Sequence, residues 1–289
     1  MSNAFKTVLL LGALTGLLLV VGELLGGTGG LTIALIFAFG INFVSYWFSD
    51  KIALAMTGAR QVSEEEAPEL YRSVANVAQL AQLPMPRVYI VNNASPNAFA
   101  TGRDPNHAAV AATTGILGIL NRDELEGVIA HEMAHIRNRD TLTACVAAAI
   151  AGAIMYLARM GQFALMFGGL GGRRDSRGSA MGGIESLLII ILAPIAAMLI
   201  QFAISRSREY SADLNGARIT GNPLGLADAL EKLERGVSYR PMNNVPASAA
   251  PLFIVNPLSP GVMAKLFSDH PPTAERVARL RKLAYTQIR

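Results

Sequence analysis

The sequence predicts a mainly α-helical α+β protein, anchored in a membrane by about four apolar helices and carrying a small β-sheet in its water-exposed part. Three observations point there. Of the 289 residues, 52% are hydrophobic and only 16% are charged, an unusual balance for a soluble domain. The apolar residues gather into four runs, and an 18-residue helix is about 27 Å long, close to the hydrocarbon thickness of a bilayer. Between the runs, the hydrophobic period switches from helical spacing to short strand-like stretches.

The first run extends from Thr7 to about Leu25 and the second from Leu31 to Phe48. Gly26-Gly27-Thr28-Gly29-Gly30 joins them as a tight transmembrane hairpin, with Tyr46 and Trp47 as interfacial anchors. The first run is long for the apolar part of a signal peptide, no clean small-x-small cleavage site follows it, and a second span comes at once. An uncleaved anchor is therefore expected. The third run is clean from Leu142 to Ala158 before Arg159 and a glycine-rich continuation. The fourth covers roughly Leu187 to Ile204, with Pro194 tolerated inside it.

Basic residues orient the hairpin. Lys6 precedes the first span, the turn has none, and Lys51 and Arg60 follow the second, which puts the N-terminus and everything after Phe48 in the cytoplasm. The second pair fits less simply, because Gly171 to Gly183 carries Arg173, Arg174 and Arg177 against Asp175. Either the charge rule is overridden there, or these helices are embedded without both crossing. The chain then divides into a hairpin at 1–48, a water-exposed part at 49–141, a second membrane pair at 142–204, and a second water-exposed part at 205–289.

Composition excludes some functions. The net charge is only +4 and no basic stripe is interleaved with aromatics, so nucleic-acid binding has no support. Cys145 is the single cysteine and lies in an apolar run, where it acts as a small hydrophobe. With no disulfide framework, a reducing compartment suits the water-exposed part.

In the first water-exposed part, Ser63 and Glu66 form a capping box for a helix reaching about Leu83, with Leu70, Val74, Val77, Leu80 and Leu83 as its core face. Arg87–Val91 and Ala108–Thr114 read as strands, with Asn97–Thr101 between them. They feed a helix in which Asn121 is the N-cap, Asp123 and Glu124 fill the first turn, and Leu125, Val128 and Ile129 face the core. In the last part, Gly236–Phe267 exceeds ordinary loop length and is either mobile or a functional lid; its Leu252–Val255 is a candidate extra strand.

That central helix carries His131-Glu132-Met133-Ala134-His135, a match to H-E-x-x-H. Residues four apart on a helix share a face, so both imidazoles reach one zinc ion, and Glu132 can act as base toward zinc-bound water. A catalytic zinc needs a third protein ligand. A third histidine six residues on is excluded, since Asn138 and Thr141 stand where that pattern needs glycine and histidine. The other common solution is a glutamate on a second helix with an aspartate four residues later, and Glu209 and Asp213 have that spacing. Asp213 would accept the second N–H of a zinc histidine. Taken alone, these two could be ordinary surface charges paired to Arg206, Arg208 or Arg218; beside His131-Glu132-x-x-His135 the ligand reading is the stronger.

The motif, the paired apolar runs, Ser205–Asp213 (SRSREYSAD), Asn97–Gly102 (NAFATG) and Asp269–Thr273 (DHPPT) together resemble the HtpX family of membrane-bound zinc metalloproteases over nearly the whole chain. CAAX prenyl proteases and Oma-type mitochondrial proteases are more distant relatives. The resemblance implies a gluzincin fold for a cytoplasmic zinc protease domain, an inner-membrane location, and a role in stress response and quality control of misfolded or damaged membrane proteins. It assigns one Zn2+ per subunit to His131, His135 and Glu209, and general-base action to Glu132. It gives His270 a role in supporting the oxyanion. It also makes Asn97, Ala98, Phe99 and Ala100 an exposed edge strand beside the cleft, on which substrate backbone would pair. The expected partners are the lipid bilayer and membrane-protein or unfolded polypeptide substrates. Two alternatives are a CAAX-type prenyl protease, for which four spans are too few, and a non-enzymatic scaffold, which has no use for an intact Glu132.

Overall fold

The computed structural model describes residues 3–168, 194–201, 203, 205–242, 244–261, 266 and 270–287. Helix α1 (Asn3–Trp47) is a helical hairpin whose backbone departs from helical geometry at Gly26 (φ −148°, ψ 18°) and Gly27 (φ 54°, ψ −141°). The positive φ at Gly27 is a conformation that glycine adopts without steric cost. The two arms, Asn3–Glu23 and Gly26–Trp47, have 21 and 22 residues, about 32 Å each and enough to cross a bilayer core. Val8, Ile33, Ile36, Phe37 and Phe39 lie exposed along them. Asn42 joins the arms by donating to Thr15 Oγ1 at 2.8 Å, a polar link of the kind that holds helices together in hydrocarbon.

The expectation of about four apolar membrane helices needs correction. Among the described residues, two helices are long and apolar enough to cross a membrane, and both belong to the hairpin. The third run forms α6 (Asp140–Gly168), whose apolar stretch, Asp140–Tyr156, is shorter than a span. Between Asp140 and Ile154 most of its side chains are buried against protein, while Tyr156 is exposed. Val146, Ile150 and Ile154 pack with Leu10, Leu14 and Leu18 of the hairpin, and Cys145 and Ala148 pack toward the sheet. Of the fourth run, only 194–201 (helical) and 203 are described; the Gly171–Gly183 connection lies outside the described residues.

After α1 the chain forms α2 (Ser49–Thr57), β1 (Ala59–Gln61), α3 (Pro68–Leu80), β2 (Arg87–Val91), β3 (Ala98–Gly102), a 3-10 turn at Pro105–His107, β4 (Ala108–Thr113), α4 (Thr114–Ile119) and α5 (Arg122–Arg137). Beyond α6 come α7 (Arg206–Thr220), α8 (Pro223–Tyr239), a 3-10 helix at Ala247–Leu252 and α9 (Thr273–Gln287). The four strands are ordered β1-β2-β4-β3; β2 and β4 run parallel, and the two outer pairings are antiparallel.

Alternation along the strands divides the interior. Val88, Ala98, Ala100, Val110 and Ala112 face a core shared with α3, α5 and α8. Tyr89, Val91, Phe99, Ala109 and Ala111 face a second core with α2, α6 and the 245–253 region. The small alanines of β3 and β4 let α5 lie close over the sheet, which sets the depth of the residues it carries. The helix expected from Ser63 starts later than the sequence suggested. Ser63 N–H meets Glu66 Oε2 at 3.0 Å, but its hydroxyl bonds Glu65 rather than a helical amide, and Pro68 opens the helix instead.

Candidate active site

Helix α5 is fixed at its start by a complete capping box. Asn121 accepts from the Glu124 amide at 3.0 Å and the Glu124 side chain accepts from the Asn121 amide at 2.9 Å. About two turns further along, the helix runs through the interior, so His131 and Glu132 are 1% and 3% exposed. A polar face buried this deeply must be paired or hold an ion.

Helix α7 supplies the rest. It crosses α5 at Gly216, where an added Cβ would sit 2.9 Å from the His131 backbone nitrogen. That approach brings Glu209 and Asp213 over the two histidines. His131 Nε2 and His135 Nε2 lie 3.2 Å apart, and Glu209 carboxylate oxygens lie 3.8 Å and 3.4 Å from them. Tetrahedral zinc with bonds of about 2.0–2.2 Å separates neighbouring ligand atoms by about 3.3–3.5 Å. One ligand atom from each of the three residues falls within 4.8 Å of the others.

The electrostatics also fit a cation. Glu132, Asp140, Glu209 and Asp213 gather around the site with the guanidinium groups of Arg208 and Arg276. With the histidines neutral, as metal ligands are, four ionised carboxylates against two guanidiniums leave two negative charges in excess, which a divalent ion cancels. Burial disfavours a charged His135, yet Glu209 and Asp140 beside it push its pKa up to about 10. The pocket therefore demands positive charge there. Burial likewise works against Glu209 ionising, but His270 and His135 beside it hold its carboxyl well below the usual range.

Each candidate metal histidine presents Nε2 inward and has Nδ1 held by a carboxylate. Asp213 Oδ1 lies 2.9 Å from His131 Nδ1, and Asp140 Oδ2 lies 3.1 Å from His135 Nδ1. Asp213 was legible from its spacing after Glu209; Asp140 and Arg276 were not. Arg276, 1% exposed, donates to both Asp213 oxygens at 2.7 and 2.9 Å and to the Ile254 carbonyl at 3.0 Å. Burial would raise the Asp213 carboxyl, but Arg276 and then His131 outweigh it and hold it at about 2.

Glu132 points into the same space without joining the ligand cluster. Burial raises its pKa, against the lowering effect of His131, His135 and the Ala100 amide, which donates to it. His270 Nδ1 lies 3.0 Å from Glu209 Oε2, while its Nε2 is buried with no hydrogen-bond partner in the described structure. Both residues line a cavity of about 40 Å³ with Ala100, His135, Glu209 and Pro251–Ile254.

Strand β3 lies at the sheet edge beside this cavity, but the edge is not open. Ile254 N–H donates to the Ala98 carbonyl at 3.0 Å. The Asn97 amide donates to Val255 O at 2.7 Å and accepts from Val255 N–H at 3.4 Å. Phe253 packs edge-on against Phe99 at 5.1 Å. All five residues of β3 are buried. The candidate strand at Leu252–Val255 thus lies along β3 as a short irregular strap.

A sheet edge above a helix with two inward histidines, a glutamate from a second helix and a buried base define a metallopeptidase. Comparison with known proteins agrees. The model of peptidase family M48 matches residues 64–284. A Protease HtpX homolog of Desulfatibacillum aliphaticivorans is 54% identical over 97% of this chain and 89% of its own length. Those of Pyrococcus furiosus (56%; 96% and 95% covered) and Ralstonia pickettii (51%; 99% and 98%) are similar over nearly full length. The chain belongs to the HtpX group of family M48 and is a membrane metalloprotease. In fold it is similar to the crystal structure of S. mikatae Ste24p, with a TM-score of 0.51 at 17% identity over 96% of this chain and 65% of that one.

Proposed function

We propose that the protein is a zinc endopeptidase that cleaves misfolded or damaged membrane proteins at the cytoplasmic face of the membrane. The convergence of His131, His135 and Glu209 on one point, with Glu132 beside it at the sheet edge, carries this reading. Bound zinc would supply Lewis acidity, polarising the scissile carbonyl and acidifying a water.

The chain's own residues then have distinct tasks. Glu132 takes the proton of the attacking water and passes it to the leaving amine; burial favours its protonated form, which strengthens it as a base. The Ala100 amide keeps its carboxylate aimed into the cavity. With Nδ1–H donated to Glu209, the His270 ring offers an Nε2 hydrogen to the developing oxyanion when it is doubly protonated. A well-placed donor of this kind is worth about 3 kcal/mol. Asn97, Ala98, Phe99 and Ala100 form the rail along which extended substrate is held by backbone hydrogen bonds, with little demand on its side chains. Pairing at Ala98 requires the strap to leave. Lys6, Lys51 and Arg60 at the hairpin ends support a cytoplasmic site. The closeness of α1, α6 and the ligand helices keeps that site at the membrane surface, where exposed loops of membrane proteins are the nearest polypeptide.

Zinc content and casein cleavage measured on purified variants test this. Glu209→Ala should lose both and Glu132→Gln only cleavage. Full zinc and activity in Glu209→Ala would refute the third ligand.

A further inference from the structure

The base of the first membrane arm reaches the metal site. Asn3 Nδ2 donates to Asp140 Oδ1 at 2.8 Å, and Asp140 Oδ2 is the oxygen that holds His135 Nδ1 at 3.1 Å. Arg208 closes a triangle, its Nη1 donating to Asn3 Oδ1 at 2.8 Å and to Asp140 Oδ1 at 3.0 Å. Asn3 also caps the preceding turn by donating to the Asn138 carbonyl at 3.0 Å. Asp140 is 6% exposed, so its orientation is decided by these partners and not by water. Arg208 immediately precedes Glu209 on α7. Three elements meet here: the membrane arm, the start of α6, and the helix bearing the third candidate ligand.

Resting on the metalloprotease reading, we propose that Asn3 is a positioning residue for the metal site, acting on His135 through Asp140. Two features favour this over simple docking of the arm. First, His131 and His135 are held alike, each by a carboxylate on Nδ1, and partners of this kind set ring orientation and ligand basicity. For His131 the carboxylate is locked by Arg276 from within the protein core, whereas for His135 it is locked by the membrane arm and Arg208. Second, contacts that do not use the Asn3 side chain already dock the arm, the Thr7 and Thr143 hydroxyls reaching the Asn3 backbone carbonyl at 3.0 and 3.4 Å. Thr7 Oγ1 meets Thr143 Oγ1 at 3.1 Å, one turn further along, both side chains being buried. Asn3 is not needed for docking alone, and its amide is spent on the group that orients His135.

The consequence is that loss of the Asn3 contact to Asp140, and not loosening of the arm elsewhere, is felt as a change in metal affinity. The test uses the full chain in nanodiscs, with zinc affinity measured by chelator competition and the Co2+ absorption spectrum as a second reading of ligand geometry. Asp140→Ala should weaken zinc by about 10–100-fold, and Asn3→Ala by on the order of fivefold, as for loss of one hydrogen bond. In an Asp140→Ala background, Asn3→Ala should cost nothing further. Thr7→Val, which loosens the arm without touching Asp140, should leave affinity and spectrum as in the wild type. Metal-free thermal melting confirms that each variant is folded. Wild-type affinity in Asn3→Ala, an unchanged penalty in the Asp140→Ala background, or an equal loss in Thr7→Val would overturn the proposal. A wild-type chain that binds no zinc would instead refute the metalloprotease reading beneath it.

Discussion

Arg276 shows how much of the site depends on one residue outside the ligand set. Its guanidinium neutralises Asp213, approaches His131 Nδ1 at 3.4 Å, and holds the strap through the Ile254 carbonyl. Removing one partner of a buried ion pair strands the other charge, so Arg276→Ala should destabilise the metal-free protein by about 3–5 kcal/mol. Arg276→Lys keeps the charge but cannot make the forked contact, so it should recover stability only in part. Thermal melting of the metal-free variants measures both, and an Arg276→Ala variant as stable as the wild type would show that Asp213 finds another partner. Asp213→Ala should weaken zinc by about 10–100-fold, read by chelator competition. At this scale the sequence was most informative where spacing encodes geometry. The i, i+4 pairs His131/His135 and Glu209/Asp213 could be read directly. Asp140 and Arg276 reach the site across 5 and 145 residues of chain from the histidines they support, and no local pattern marks such contacts.

Among elements, α5 was the most legible, because cap, first-turn acids and core face all agree with one helix. Strand β1 has three residues and no period to detect. Leu252–Val255 was readable as a candidate strand but not as a strap along β3, since its contacts with β3 come from tertiary packing. Its position yields a prediction. When a peptide binds the full-length Glu132→Gln protein, hydrogen exchange at the Ile254 and Val255 amides should accelerate, because substrate takes over the Ala98 carbonyl. Unchanged or slower exchange at saturating peptide would make the strap a fixed wall and confine pairing to Ala100 and beyond. The α5–α7 crossing predicts another effect. Gly216→Ala places a methyl against the His131 backbone, costing about 1–3 kcal/mol in overpacking. Melting temperature and zinc affinity should fall together if that crossing sets the site.

For the whole molecule, the hairpin was readable because two full spans are joined by a glycine turn and flanked by basic residues at their outer ends. The third run misled for a physical reason: an alanine-rich helix covered by protein has the same composition as one covered by lipid. Up to Ile154, the buried side chains of α6 pack between the hairpin and the sheet. Orientation remains a proposal with a direct check, in which a cysteine at Ser63 in a Cys145→Ala background should be labelled only from the cytoplasmic side.

The measurement that reaches furthest is zinc K-edge X-ray absorption on the full-length Glu132→Gln protein. One zinc per chain is expected, with nitrogen and oxygen neighbours at about 2.0–2.2 Å and the outer-shell scattering of two imidazoles, diminished in His131→Ala. A zinc shell without imidazole scattering, or one unchanged by His131→Ala, would contradict the site.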